Sequence, residues 1–239
     1  VKEMKKNIIL LFVFILTGMF SLSAYATQES MIREQYEIQA RINKIGYRLL
    51  NSARIENRAT FQYNGKNIVG TNTKSGLFQP RRITIYRGIL THCESDDEIA
   101  AVLAHEISHI DDSYKGVFRG SLHGYTKSYS PRKYVYKADK RAVDFMADAG
   151  YDPLALIVIL NKISDQYRFE ITGTPFASKR MVAIYEYIYR NYPVYLAKNS
   201  YKNNVFYQNF LLTSATQRAK LQEKLKDEGI IPVSNQKGR

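Results

Sequence analysis

His105 and His109 stand four residues apart, and Glu106 directly follows the first of them. On a helix, side chains at that spacing share a face with Cβ atoms about 5–6 Å apart, so two ring nitrogens can close on one metal ion at about 2.0–2.1 Å each. Two imidazoles of this kind suit zinc. A carboxylate beside the first ligand can take a proton from water activated by the metal without being a ligand itself, which makes Glu106 the candidate general base of a hydrolase. The alternative for the same residues is a pair of histidines on a helix surface with no metal.

The helix that must carry them is marked at its start. Ser95, followed three residues later by Glu98, predicts a capping box in which each side chain satisfies the other's backbone N–H. Ile99, Leu103, Ile107 and Ile110 recur at helical spacing, so one stripe is buried with the histidines beside it, and Gly116 is a suitable stop. A second core helix is predicted over Lys133–Ala149, with Val135, Ala138, Ala142, Phe145, Met146 and Ala149 as its stripe and Gly150 at its end. Asp152 and Pro153 fit the N-cap and first position of a third helix, Leu154 to about Gln166. A fourth is expected over Ser178–Tyr192, stopping at Pro193. Ser214 with Gln217 marks a weaker one over Leu221 and Leu225, and residues 230–239 read as disordered.

Ahead of the site, Ile38, Ile42, Ile45 and Leu49 predict a long amphipathic helix within residues 28–56. Asn64-Gly65, between Phe61-Gln62-Tyr63 and Lys66-Asn67-Ile68-Val69, suits a tight hairpin turn. Residues 70–81 read as a loop and Ile83–Tyr86 as a short strand, an edge along which an extended peptide could lie. Residues 117–131 lack periodicity and read as a crossover loop. His123 within them is a surface residue or a spare ligand, and Cys93 beside His92 reads as a lone, partly buried thiol. The fold class expected is α+β, a mostly helical single domain with a small sheet beside the metal helix.

Lys2, Lys5 and Lys6 precede an apolar run from Ile8 to Phe20 and then Ala24-Tyr25-Ala26, the pattern of a secretory signal peptide cleaved after Ala26. The expected organisation is therefore a signal peptide over 1–26, a catalytic domain over 27–200 and a C-terminal extension over 201–239, in a periplasmic or secreted protein. No later stretch approaches the roughly 20 apolar residues of a transmembrane helix. With one cysteine, no intramolecular disulfide can form. The net charge is +13; Lys2, Lys5 and Lys6 against Glu3 place +2 in residues 1–26 and leave +11 on the rest. A basic exported chain suits peripheral contact with anionic envelope surfaces, and nucleic acid is not expected as a partner.

Arg87-Gly88-Ile89-Leu90, the run from Asp97 to Glu106, Ala138-Asp139 and the run from Met146 to Pro153 together resemble the HtpX-like and CAAX-prenyl-type zinc endopeptidases, which are gluzincins. The layout is most similar to their periplasmic, BepA-like branch, over roughly residues 35–192. The resemblance implies a zincin-like fold, one zinc ion and a protein or peptide substrate. It also implies a third zinc ligand, a glutamate four residues before the aspartate; that position is Val135, which has no donor atom. Asp139 falls where the family orients a ligand histidine, one turn or about 5.4 Å further along the helix. Lys137 stands where relatives often carry an acid, and Thr174-Pro175 where they often read His-Pro ahead of Arg180. Two functions are therefore expected: a periplasmic zinc metalloendopeptidase acting on envelope proteins, or a degenerate, non-catalytic homologue that binds envelope proteins or extended segments in the same cleft.

Overall fold

The computed structural model describes residues 28–55, 59–76, 79–114, 131–164 and 174–230. The expectations for the signal peptide, Gly116, the crossover loop, His123 and the last nine residues lie outside them. Helix α1 spans 28–52, and its turns from Ile42 onward bury Ile42, Ile45, Leu49 and Leu50. Three strands follow, β1 (Thr60–Asn64), β2 (Thr71–Gly76) and β3 (Gln79–Tyr86), then a single turn α2 (Arg87–Leu90) and the long helix α3 (Asp96–Tyr114). The remaining helices are α4 (Pro131–Asp148), α5 (Leu154–Ser164), α6 (Thr174–Asn191), α7 (Pro193–Lys198), α8 (Val205–Thr213) and α9 (Ala215–Asp227). The class is α+β and mostly helical, with a small mixed sheet against α3. Among the described residues no helix is long and apolar enough to cross a membrane.

The sheet differs from the sequence expectation in three ways. Its order is β1-β3-β2, with β1 parallel to β3 and β2 antiparallel to it, so the predicted hairpin at Asn64-Gly65 does not form. Asn64 instead turns its side chain back, Oδ1 accepting from the Lys66 N–H at 3.0 Å, the local bond that lets asparagine close a turn by itself. The chain then passes over α2, where the Ile68 backbone lies 2.5 Å from the place a Cβ on Gly88 would occupy. It pairs on the far side of β3. Residues 71–76, expected as loop, are that second strand. Because β3 is central, the peptide-accepting edge predicted there is not available, and β2 is the edge strand beside α3.

Helix α3 begins as its sequence suggests, with half of the predicted capping box. Ser95 Oγ accepts from the Glu98 N–H at 3.2 Å, and Asp96, Asp97 and Glu98 place negative charge on the first turn. Glu98 does not return the bond to Ser95. Its buried carboxylate accepts instead from the Glu94 N–H, one residue earlier, and is paired with Lys162 of α5, at 2.9 Å to one oxygen and 3.2 Å to the other, as a buried charge requires. Ile99, Leu103, Ile107 and Ile110 are all buried, as are Ala100, Ala101 and Ala104. These alanines let α4 and the sheet approach closely on either side.

Helix α4 ends on Gly150 at φ +72°, where the Tyr151 N–H bonds Met146 O and the Gly150 N–H bonds Ala147 O, the Schellman stop that glycine permits. Asp152 then accepts from the Leu154 N–H at 2.9 Å and starts α5, nearly all of which is buried. At the C-terminal end the structure adds α8, which the sequence reading passed over. Asn204 caps it by accepting from the Phe206 and Tyr207 N–H groups, and it buries Tyr207 and Phe210. Ser214, expected to cap α9, makes no capping bond: its hydroxyl donates to Phe210 O of the preceding turn and accepts from Arg218 Nε.

A second polar cluster ties α4 to α6. Asp144 accepts from the Tyr187 hydroxyl at 2.9 Å and from the Tyr192 hydroxyl at 2.8 Å. Burial and the carboxylate's charge push the Tyr187 phenol up to about 12 and raise Tyr192 as well. A phenol ionises near 10 when unfolded, so the folded state favours the neutral form. The stability this contributes is present below pH 10 and is lost as pH rises toward the folded value. Urea midpoints should therefore fall from about pH 10 upward, and Tyr187→Phe should make that fall shallower. An unchanged slope would separate the pair from alkaline unfolding.

Candidate active site on helix α3

Between Glu98 and Ile110 of α3 the buried run is interrupted at three positions, His105, Glu106 and His109, each partly exposed among buried neighbours. The two imidazoles converge. Nε2 of His105 and Nε2 of His109 are 3.1 Å apart, with the rings nearly perpendicular at 88°. Two nitrogens bound tetrahedrally to one zinc at about 2.0–2.1 Å stand about 3.3–3.4 Å apart, so the pair needs only a small opening to accept the ion. The four-residue spacing predicted this convergence, and the backbone supports it: Ser108, fully buried, donates to His105 O at 2.7 Å.

Each ring is held from α4. Asp139 Oδ1 lies 3.0 Å from His105 Nδ1, within hydrogen-bonding distance although the ring N–H is angled away from the oxygen. Tyr134 stacks on His109 with ring centroids 4.4 Å apart and planes at 16°. Asp139 is 1% exposed and is itself gripped by Arg180 of α6, Nε donating to one oxygen at 2.8 Å and a terminal nitrogen to the other at 2.7 Å. Burial alone would push its carboxyl up. The paired Arg180 guanidinium, helped by His105, more than reverses that and holds it well below the usual carboxylate range. A carboxylate held in its ionised form therefore lies beside Nδ1, while Nε2 is the nitrogen turned toward His109.

Glu106 points to the sheet. Its Oε1 accepts from the Thr71 hydroxyl at 2.7 Å and its Oε2 from the Thr73 hydroxyl at 2.5 Å, both from the edge strand β2. Both oxygens of the carboxylate are thus tied to hydroxyl donors of the sheet. The two threonines were missed because residues 70–81 read as loop. Their β-branched side chains at alternate positions were the signal.

Val135 is partly buried on α4, one turn before Asp139 and so on the same helical face. Among the described residues no group of three or more His, Cys, Asp or Glu side chains is gathered closely enough to hold a metal ion. The donor set there is the two histidines, which fit zinc as far as they go. Cys93 is half-buried with its thiol directed to Ile89 O, and His123 lies outside the described residues.

Residues 36–118 match Peptidase family M48. The match takes in α1 from Tyr36, the sheet and α3 with His105, Glu106 and His109; Val135, Asp139 and Arg180 lie beyond its end. It supports a metallopeptidase, and M48 metallopeptidases are in general zinc-dependent and act on proteins or peptides. No curated protein matches the chain significantly.

Proposed function

We propose that the chain is a periplasmic zinc metalloendopeptidase acting on envelope proteins, with His105 and His109 as metal ligands, Glu106 as general base and Asp139 as the residue that orients His105. The observation that carries this reading is the convergence of the two Nε2 atoms beside a carboxylate held in place by the sheet, within the segment that matches M48. Zinc bound by that pair would supply Lewis-acid polarisation of a scissile carbonyl. Glu106 takes the proton of the attacking water and passes it to the leaving amine. Each of its oxygens accepts one threonine hydroxyl and keeps a second lone pair for that exchange. Edge strand β2 is where an extended substrate segment would add to the sheet. The signal-peptide pattern of residues 1–26 supports the compartment, and the net positive charge suits peripheral contact with an anionic envelope surface.

Val135 favours a second reading, a non-catalytic homologue that binds envelope proteins or extended segments in the same cleft. The two are separated by casein cleavage by the unchanged chain, with and without Glu106→Gln. The endopeptidase reading expects cleavage that Glu106→Gln abolishes while the metal stays bound. Metal without any cleavage would favour the binding role.

A further inference from the structure

Strand β2 is polar where its position in the sheet calls for apolar residues. Thr71 pairs with Ile85 and Thr73 with Ile83, so both threonines share the sheet face on which those two isoleucines are completely buried. Asn72 and Lys74, on the other face, are exposed. Valine has the shape of threonine and would serve the packing at both inward positions. What threonine adds is a hydroxyl, and each of the two hydroxyls is spent on a different oxygen of the same carboxylate, that of Glu106. We infer that Thr71 and Thr73 are positioning residues that clamp the Glu106 carboxylate in one orientation against the edge strand. The part of this concerning catalysis rests on the endopeptidase reading; the clamp itself does not.

The chemistry of the arrangement follows from the donor count. A glutamate on a helix surface samples several rotamers, and a base must keep one lone pair aimed at the proton that it removes. Bonds from a hydroxyl to an ionised carboxylate are among the stronger hydrogen bonds, and two of them, one per oxygen, fix both the position and the plane of the group. Both donors come from one strand two residues apart, so the clamp is as rigid as the β2–β3 pairing that carries it. The same strand is the sheet edge, so a peptide added there would lie one strand from the base.

The test uses protein labelled with 13C at the glutamate side-chain carboxyl, the Glu106 resonance being the one lost in Glu106→Gln. Thr71→Val with Thr73→Val should move or broaden that resonance, and the serine pair should restore it, since serine keeps the hydroxyl and valine keeps the shape. In the Val135→Glu background the valine pair should also lower kcat about 10–100-fold, as loss of supporting partners does elsewhere, with KM and zinc affinity within about twofold. An unmoved resonance in the valine pair overturns the clamp whatever the activity, as does a resonance that serine fails to restore. A resonance that moves as expected in a protein with no Glu106-dependent cleavage supports the clamp and removes the endopeptidase reading instead.

Discussion

Val135→Glu is expected to raise zinc affinity by about 100-fold or more and to bring Glu106-dependent cleavage of casein well above that of the unchanged chain. The size follows from what the described residues offer. Two imidazoles converge at 3.1 Å, but hydrolytic zinc sites use three protein ligands, and losing even an outer partner commonly costs about 10–100-fold. A glutamate at 135 would stand one turn before Asp139 on α4, on the face that already reaches His105. It would add both a donor and a negative charge beside the dication. Calorimetric zinc titration and casein hydrolysis of the two proteins side by side measure the effect. A variant that gains neither metal nor activity would make the binding role the better account.

Removing Arg180 should have the second-largest effect, and on stability as well as on the site. Asp139 is 1% exposed and takes both of its strong hydrogen bonds from this guanidinium. Arg180→Met would strand a buried carboxylate, and breaking a buried pair from one side typically costs about 3–5 kcal/mol. Adding Asp139→Asn removes the stranded charge and should return most of that loss in urea unfolding. It should not return zinc affinity, because a neutral amide is a weaker partner for His105 than the carboxylate and can present either end to it. Recovery of both properties together would mean that Asp139 serves only the packing of α4 against α6.

How much of this was legible in the sequence depended on the range of the forces involved. The site helix announced itself locally: Ser95 at its cap, isoleucine and leucine at helical spacing, and histidines four apart on one face. Asp139 and Val135 were not legible from spacing; the resemblance to the zinc endopeptidases assigned them, one turn apart on a single helix. Gly150 and Asp152 punctuated α4 and α5 where expected. The sheet was not legible, because which strand lies between which is decided by long-range pairing. Asn64-Gly65 carries a hairpin signal, yet Asn64 closes its turn with its own side chain and the partner strand comes from Thr71–Gly76. That strand looked like a loop because its inward residues are threonines, chosen for their hydroxyls on Glu106 and not for burial. Glu98 likewise was read as a capping residue while its carboxylate answers to Lys162, 64 residues away. Helix α8 was missed even though Asn204 caps it as a local rule would suggest. Six of its nine residues are apolar, Val205, Phe206, Tyr207, Phe210, Leu211 and Leu212, so no single stripe marks a helical period, and only Tyr207 and Phe210 are buried.

The most direct test of the account is a zinc titration of the chain as it stands, beside His105→Ala, His109→Ala and Glu106→Gln. The prediction is one zinc per chain, held less tightly than in Val135→Glu, lost when either histidine is replaced and kept when Glu106 becomes glutamine. Zinc that remains after either histidine is removed, or that fails to bind even with glutamate at 135, would contradict the assignment of this pair as the metal centre.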